Sequence, residues 1–512
     1  MLSTTPPVCI SVCESDWPSV ELAVRVAAKH DGLIEIRLDC LAPETSQNLH
    51  ELPELLATCL RPTIITFRAA EEGGRSAADF ETRLRFWREK GLDLPANFVD
   101  LELDIAEQLS RDAAAVDWSR VICSYHNQDE VPVDLTAIFE RLAATPARVL
   151  KIAVRVDDAV ECLPIFDLLE RARRDGRELI AIGMGAAGVA TRILGPARGA
   201  FLTYGSLRKE RATAAGQLSI EELTNVYRVE KLTHETTITG LVGRPVAHSI
   251  SPQIHNAAFA RSGTNAVYIP FEVRDLKAFF RQMVHPRTRE MDWRLRGLSI
   301  TAPHKRDVLA ELDWVEPSAR EIGAVNTVVV EDDRLCGYNT DASAFISRLK
   351  NRFGSLQNAR VAIIGAGGAA SAALYMLNQE NAQVTVFARN SRKAKQLADR
   401  WSTHYSELRD AAFAEFDVVI NATPLGTKGL GEFETPAIAQ QLRGARLAYD
   451  LVYNPQVTQF LREAQAADCE TLAGLPMLLA QAAQQFELWT GEAANIEAMQ
   501  TAALRALNNS SH

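Results

Sequence analysis

Lys151 sits alone in the apolar run Val149-Leu150-Lys151-Ile152-Ala153-Val154. A charge in such surroundings costs free energy unless it is paired or neutral. Desolvation favours the neutral amine, which can attack a ketone and form an imine. An imine acidifies the neighbouring carbon, and a histidine could remove that proton and return it to a leaving hydroxyl. His126 ends another apolar run, and Glu35, Arg37, Arg68 and Met184 stand late in three more. Arg37 and Arg68 could grip a carboxylate and hydroxyls. The set fits β-elimination of water from a hydroxy-ketone acid. Taken alone, Lys151 could equally be half of a structural ion pair.

A second, unrelated set lies some 200 residues on. Val361-Ala362-Ile363-Ile364 runs into Gly365-Ala366-Gly367-Gly368-Ala369-Ala370. Glycines there would let the backbone approach a pyrophosphate at a helix N-terminus. Ala370 replaces the last glycine of the full pattern, so a simple tight turn remains an alternative. The next strand, Gln383–Phe387, is followed by Arg389 and Asn390, with Arg392 and Lys393 close by, and by no acidic residue at its end. That cationic cluster favours a 2′-phosphate, hence NADP over NAD; a solvated helix start is the other reading. The loop after Asp417–Thr423 suits cofactor contact through Thr423. Ser249 and Ser251 offer two hydroxyls, Thr301 and Lys305 follow one strand, and Asn326 and Asp341 add an amide and a carboxylate. Lys305 and Asp341 could relay a proton to a carbonyl reduced by hydride. Singly, each could be a surface ion pair or a helix cap.

The elements that must hold these residues follow from the pattern. Eight β-rich runs fill the first 206 residues: Val8–Cys13, Leu33–Asp39, Pro62–Arg68, Asn97–Leu103, Arg120–His126, Arg148–Val154, Glu178–Gly185 and Ala200–Ser206. Helical periodicity fills gaps between them, as in Val20–Lys29, Ala77–Lys90, Leu135–Ala143 and Ala159–Arg173. Alternating units of this kind predict an α/β protein that begins with a (β/α)8 barrel, with an open doubly wound sheet as the alternative. Barrel chemistry belongs at the C-terminal strand ends, where the polar residues cluster. A helix over Ile220–Val229 and a polar join near Lys231–His234 end the first half, and a strand at Thr237–Leu241 opens the next.

At 512 residues the chain has room for two to four domains. A net charge of -10 without a basic stripe argues against nucleic acid. No apolar stretch reaches membrane-spanning length, and Met1–Pro7 lacks the charge and apolar run of a signal peptide. Eight scattered cysteines, none in a CxxC pair, suggest no zinc site and no disulfide framework, hence a reducing cytoplasm.

Two family resemblances attach to these motifs. Glu35-Ile36-Arg37-Leu38-Asp39, Thr66-Phe67-Arg68 with Glu72-Gly73-Gly74, Ser124-Tyr125-His126-Asn127 and Lys151-Ile152-Ala153 resemble type I 3-dehydroquinate dehydratase over residues 8 to about 228. The resemblance implies Lys151 as Schiff-base lysine, His126 as general acid and base, and Glu72 as the carboxylate tuning His126. It implies Glu35, Arg37, Arg68, Met184, Arg192, Thr213 and Gln217 around the substrate. Ala215 stands where that family usually has proline, which predicts a looser closing loop.

Residues 237 to about 508 resemble shikimate dehydrogenase. The match runs through Arg244–Pro252, Pro303-His304-Lys305, Ala324–Thr327, Asn339-Thr340-Asp341, Asn421–Pro424, Asp450–Pro455 and Gly474–Gln481. It implies Lys305 and Asp341 as the catalytic pair and Ser249, Ser251, Thr301, Asn326, Tyr453 and Gln481 as shikimate ligands. NADP would lie on Gly365, Ala366, Gly367, Gly368, Ala369, Arg389, Asn390, Thr423 and Gly474. The departures are Ser299-Ile300-Thr301-Ala302 before Pro303, and Ala388-Arg389-Asn390 after the second strand.

The implied domains are a barrel at 1–232, a substrate domain at 236–340 completed by helices in 475–512, and a Rossmann domain at 341–474. The two activities would be consecutive: one makes 3-dehydroshikimate and the other reduces it. With a polar join and a full set in each half, residues 1–232 and 233–512 are expected to act separately. The alternatives are a different Schiff-base enzyme such as an aldolase, one half serving as a scaffold, and quinate as the dehydrogenase substrate. No metal is called for.

Overall fold

The computed structural model describes residues 7–42, 49–112, 116–409 and 411–509; most of the segment read for a leader, Met1–Pro7, lies outside them. Eight strands open the chain: β1 (Val8–Val12), β2 (Leu33–Arg37), β3 (Thr63–Thr66), β4 (Phe98–Glu102), β5 (Val121–Asn127), β6 (Val149–Arg155), β7 (Glu178–Met184) and β8 (Thr203–Ser206). All neighbours are parallel, in the order β7-β6-β5-β4-β3-β2-β1-β8. The ring closes through one bridge, Leu179 to Ala200, with the Phe201 N–H donating to the Leu179 carbonyl at 2.8 Å. This is a nearly closed (β/α)8 barrel.

Strand alternation sorts its side chains. One buried cluster inside the ring holds Cys9, Leu33, Ile64, Phe98, Ile122, Val149 and Ile180. Counting two residues along from these positions gives Ser11, Glu35, Thr66, Asp100, Ser124 and Lys151, with Ile182 from β7 as the apolar exception. A further step of two gives Arg37, Arg68, Glu102 and His126, beside Cys13, Ala153 and Met184. Parity thus sets an apolar floor under a mostly polar layer, and brings four charged or titratable residues to the rim.

Two local expectations change. Cys13 and Cys40 form a disulfide, Cα–Cα 5.3 Å, so the cysteine spacing misled. The residues are 27 apart in sequence, and only the parallel pairing of β1 with β2 brings their exits together. The helix expected over Ile220–Val229 starts there but is shorter: it passes at once into a π-turn, Glu222–Val226, and is ended by Arg228 in the left-handed region (φ 52).

The second sheet contains β9 (Thr237–Gly243), β10 (Ala266–Glu272), β11 (Arg294–Ile300), β12 (Trp314–Val315), β13 (Thr327–Glu331) and β14 (Arg334–Tyr338), ordered β10-β9-β11-β13-β14-β12. The third is fully parallel: β15 (Arg360–Ile364), β16 (Gln383–Ala388), β17 (His404–Glu407), β18 (Val418–Asn421), β19 (Leu447–Asp450) and β20 (Glu470–Leu472). Its order, β17-β16-β15-β18-β19-β20, is that of a dinucleotide fold, with a crevice between β15 and β18. Helix Thr340–Phe353 leads into this sheet, and helices Leu475–Thr490 and Ile496–Asn509 return to the second. Trp489 fixes the return by donating its indole N–H to the Val328 carbonyl at 3.1 Å.

The join is polar as expected, yet the halves share a buried interface. One apolar core runs from the barrel helices into Val267, Ile269, Phe271 and Phe279. Arg228 donates to the Ala266 carbonyl at 3.0 Å, and the buried Arg198 donates to that of Asp292. Apart from Arg228, these contacts come from segments far from the join, which is why the linker gave little sign of them. No described helix is long and apolar enough to cross a membrane.

Candidate functional sites

In the barrel, Lys151 is buried but not alone. Its Nζ lies 2.8 Å from Asp100 Oδ2, 3.7 Å from Glu35 Oε1 and 3.2 Å from the Tyr204 hydroxyl. Asp100 also accepts from Arg68 Nη2 at 2.7 Å and from the Ser124 hydroxyl at 2.6 Å. Burial alone would raise the Asp100 carboxyl; the Arg68 guanidinium and the Lys151 amine overcome it and hold it well below the usual range. Arg68 reaches on to Glu72 Oε2 at 3.1 Å, and the same oxygen lies 2.9 Å from His126 Nδ1. An unbroken polar chain thus links Lys151, Asp100, Arg68, Glu72 and His126.

Burial and the cations Arg68 and Lys151 push His126 well below the ordinary imidazole value, so the ring is neutral near pH 7. Burial pushes Glu72 up to about 7 against the pull of Arg68. An ionised Glu72 accepts the Nδ1–H of His126 and leaves Nε2 as a base. A protonated Glu72 donates to Nδ1 instead and puts the ring hydrogen on Nε2.

The other expected barrel residues sort by how committed they are. Glu35 accepts from the Ser11 and Thr66 hydroxyls at 2.8 and 2.9 Å. Arg37 is clamped by both oxygens of Asp39 at 2.8 and 2.7 Å. With Arg68 equally occupied by carboxylates, neither arginine stands as an uncompensated cation. Arg192 does: it is 2% exposed, its Nε has no partner, and burial brings its pKa down to about 10. Among the described residues its one side-chain hydrogen bond is to the Ala215 carbonyl at 3.4 Å. Gln217 Oε1 accepts the Thr213 N–H and hydroxyl at 2.6 and 3.1 Å, folding this loop on itself. The loop then docks on the exit of β7, where the Gly185 N–H meets the Ala215 carbonyl at 2.9 Å. Gly216 (φ 70) is required there, since a Cβ would stand 2.1 Å from the Gly185 carbonyl oxygen. Met184 Sδ, nearby, accepts from Gln128 at 3.6 Å.

Between the second and third sheets, Lys305 Nζ and Asp341 Oδ2 are 2.6 Å apart. Asn326 donates to the Thr340 hydroxyl at 3.0 Å and lies 3.5 Å from Gln481 Oε1. Ser249 and Ser251 hydroxyls are 3.1 Å apart, and burial raises the Tyr453 hydroxyl against its hydrogen bond to Ser249. Thr301 N–H closes on the Val242 carbonyl at 2.8 Å. The exits of β9, β11 and β14 supply Ser249, Ser251, Thr301, Lys305 and Asp341, while Asn326 precedes β13, Tyr453 follows β19 and Gln481 comes from helix Leu475–Thr490.

Across the cleft, Gly365 turns at φ 130, and the backbone there passes so close to the Ala422 carbonyl that a Cβ would stand 2.8 Å from it. Gly367 opens helix Gly368–Gln379 with no side-chain cap, so the N–H groups of its first turn, through Ala369, are left to a ligand. A Cβ on Gly367 would meet nothing within 4 Å, and one on Gly368 only Lys305, so the backbone flanking Ala366 faces open space suited to a pyrophosphate. Arg389 and Arg392 make no ion pair or hydrogen bond among the described residues. Asn390 is committed locally, capping Lys393 N–H at 3.1 Å. Thr423 is turned by Asn421, at 2.9 and 2.6 Å. Gly474 packs against the exit of β19, where a Cβ would stand 2.6 Å from the Leu451 and Val452 carbonyl oxygens. A dinucleotide fits this side of the cleft.

Asp100 and Tyr204 are the site residues the motif reading passed over, and Ser124 stood in a quoted motif without a role. Asp100 carried the signal used for Lys151, a charge inside the apolar run Phe98-Val99-Asp100-Leu101. Tyr204 carried none, since an aromatic in a strand reads as core.

The two halves match known families separately. Residues 8–234 match type I 3-dehydroquinase. Residues 241–328 match the shikimate dehydrogenase substrate binding domain, 347–471 shikimate / quinate 5-dehydrogenase, and 474–504 the shikimate 5′-dehydrogenase C-terminal domain. The chain is 36% identical over 279 residues to the shikimate dehydrogenase (NADP(+)) of Methanocaldococcus jannaschii, covering 52% of this chain and 96% of that protein. A crystal structure of the Thermus thermophilus shikimate 5-dehydrogenase with NADP(H) and shikimate is 36% identical, with a TM-score of 0.48, over 53% of this chain and all of that one (100%). One relative spans both halves: the chloroplastic bifunctional 3-dehydroquinate dehydratase/shikimate dehydrogenase of Arabidopsis thaliana is 32% identical over 496 residues, 92% of this chain and 80% of that protein. The chain belongs to the family of bifunctional 3-dehydroquinate dehydratase/shikimate dehydrogenases.

Proposed function

We propose that the chain dehydrates 3-dehydroquinate to 3-dehydroshikimate in its barrel and reduces that product to shikimate in its second half. The observation that carries the reading is the polar chain from Lys151 to His126 in the same polypeptide as the Lys305–Asp341 pair.

In the barrel, Lys151 adds as the neutral amine to the substrate ketone, and loss of water gives the imine, with the ionised Asp100 carboxylate beside it as counter-charge. His126 Nε2 takes a proton from the carbon beside the imine, and the electron pair expels the β-hydroxyl as His126 returns the proton. Water then releases the product and restores the amine. Arg192 holds the substrate carboxylate, because it is the buried guanidinium without an acid of its own. Glu35, Arg37, Arg68, Met184, Thr213 and Gln217 wall the pocket.

In the second half, NADPH supplies the hydride when bound. Lys305 delivers a proton to the carbonyl oxygen as it gains charge, and Asp341 holds the ammonium in place. Ser249, Ser251, Thr301, Asn326, Tyr453 and Gln481 hold the substrate hydroxyls and carboxylate. The glycine turn, Thr423 and Gly474 frame the cofactor, and Arg389 takes the 2′-phosphate.

The working units are the barrel at 1–232, a substrate domain at 236–340 completed by 475–512, and a nucleotide domain at 341–474. A cytoplasmic setting fits the six cysteines that are free thiols, with Cys13–Cys40 as the exception. Thiol titration in a glutathione buffer of cytosolic poise tests it: reduction of that pair supports the cytoplasm, and persistence of the bond contradicts it. The activity test is borohydride trapping with 3-dehydroquinate. Substrate mass on the peptide containing Lys151 is expected, and the same mass gain in Lys151→Ala would overturn the assignment.

A further inference from the structure

Asp158 belongs to the barrel, three residues past the end of β6, the strand that carries Lys151. It is 2% exposed. Among the described residues no cation of the barrel pairs with it; instead its Oδ2 accepts two backbone N–H groups of the other half, Arg274 at 3.1 Å and Asp275 at 2.8 Å. Its Oδ1 is buried with no partner. The next barrel carboxylate, Glu161, accepts the N–H groups of Asp157 and Asp158 at 2.8 and 3.3 Å and so fixes the loop from which Asp158 projects.

The two amides follow Val273, and Val273 touches the dehydrogenase machinery. Its N–H donates to the Gly243 carbonyl at 3.1 Å, and its carbonyl accepts from His304 Nε2 at 2.8 Å. His304 is itself buried, and the next residue is Lys305. The Lys305 carbonyl in turn accepts the Val325 N–H at 2.8 Å, beside Asn326. Asp275 meanwhile caps the helix that follows, through the Ala278 N–H at 2.9 Å. A buried acceptor on the barrel therefore fixes one end of a short bonded path whose other end is the proton donor of the second active site.

We propose that Asp158 is a positioning residue for the dehydrogenase: by holding the Arg274 and Asp275 amides, it sets Val273 against His304 and so aims Lys305. The barrel is then part of the second active site's scaffold as well as the first enzyme. This rests on the reading of Lys305 as proton donor given above.

The test uses the full chain with Asp158→Ala and Asp158→Asn, assayed for NADP-dependent shikimate oxidation and for 3-dehydroquinate dehydration. Asp158→Ala takes the acceptor away from the Arg274 and Asp275 amides, so kcat for shikimate oxidation should fall about tenfold. The Michaelis constant for NADP should stay within about twofold, because the nucleotide turn lies on the other lobe. The pH profile of shikimate oxidation should shift. Dehydration should stay within about twofold, and Asp158→Asn, which keeps an acceptor oxygen, should restore kcat to within about threefold. Asp158→Thr, with a shorter reach, should behave like alanine and serves if Asp158→Ala does not fold. An unchanged kcat and pH profile in the alanine or threonine variant would overturn the inference, as would parallel loss of both activities, which marks a role in overall folding only. A wild-type chain inert toward shikimate would instead sink the functional reading itself.

Discussion

The Nζ atom of Lys151 stands 2.8 Å from Asp100 Oδ2, and the other oxygen of the same carboxylate stands 2.7 Å from Arg68. One buried acid thus serves two cations, and it stays ionised beside the amine and beside the iminium that the amine becomes. Asp100→Asn leaves both cations short of a counter-charge. Removing one partner of a buried pair costs about 3–5 kcal/mol, so urea denaturation should show a loss of that size. Imine formation should slow roughly hundredfold, read as the rate of borohydride inactivation with 3-dehydroquinate. Trapping at the wild-type rate would show that the amine does not depend on the Asp100 carboxylate.

The His126–Glu72 pair predicts a pH limb. Glu72 is protonated below about 7 and ionised above it, while His126 stays neutral through this range. Only the ionised carboxylate leaves Nε2 as a base. Dehydratase kcat/KM should therefore rise with pH through an apparent value near 7 that belongs to the pair. In Glu72→Gln the limb should vanish and activity should fall roughly tenfold or more. An unchanged limb in that variant would assign the titration elsewhere.

Arg389 is an exposed cation without an acid partner among the described residues, just past β16. A charge-assisted contact to phosphate contributes about 1.5–3 kcal/mol. Arg389→Ala should raise the Michaelis constant for NADPH roughly tenfold or more and leave NADH use nearly unchanged. Equal wild-type efficiency with the two cofactors would contradict the 2′-phosphate assignment.

The barrel was legible because alternation places apolar and charged residues by parity, so a lysine or glutamate inside an apolar run announces an inward-facing site. Asp100 obeyed the same rule and needed only the same count applied to β4. Other features depend on contacts between distant segments. The Cys13–Cys40 bond requires knowing that the exits of β1 and β2 meet. Asp158 reads in sequence as an ordinary polar residue after a strand, and its two acceptor bonds reach residues 116 and 117 positions away. Asn390 shows a different limit, since a residue just past a strand end can equally be a ligand or a helix cap, and here its side chain caps.

The most direct test of two consecutive enzymes on one chain is NADPH oxidation by the pure protein supplied with 3-dehydroquinate alone. The wild type should consume NADPH and form shikimate after a lag. Lys151→Ala should do neither, yet reduce added 3-dehydroshikimate at the wild-type rate. Lys305→Ala should accumulate 3-dehydroshikimate and leave NADPH untouched. NADPH consumption from 3-dehydroquinate that survives Lys151→Ala, or a wild type that makes no 3-dehydroshikimate, would contradict the account.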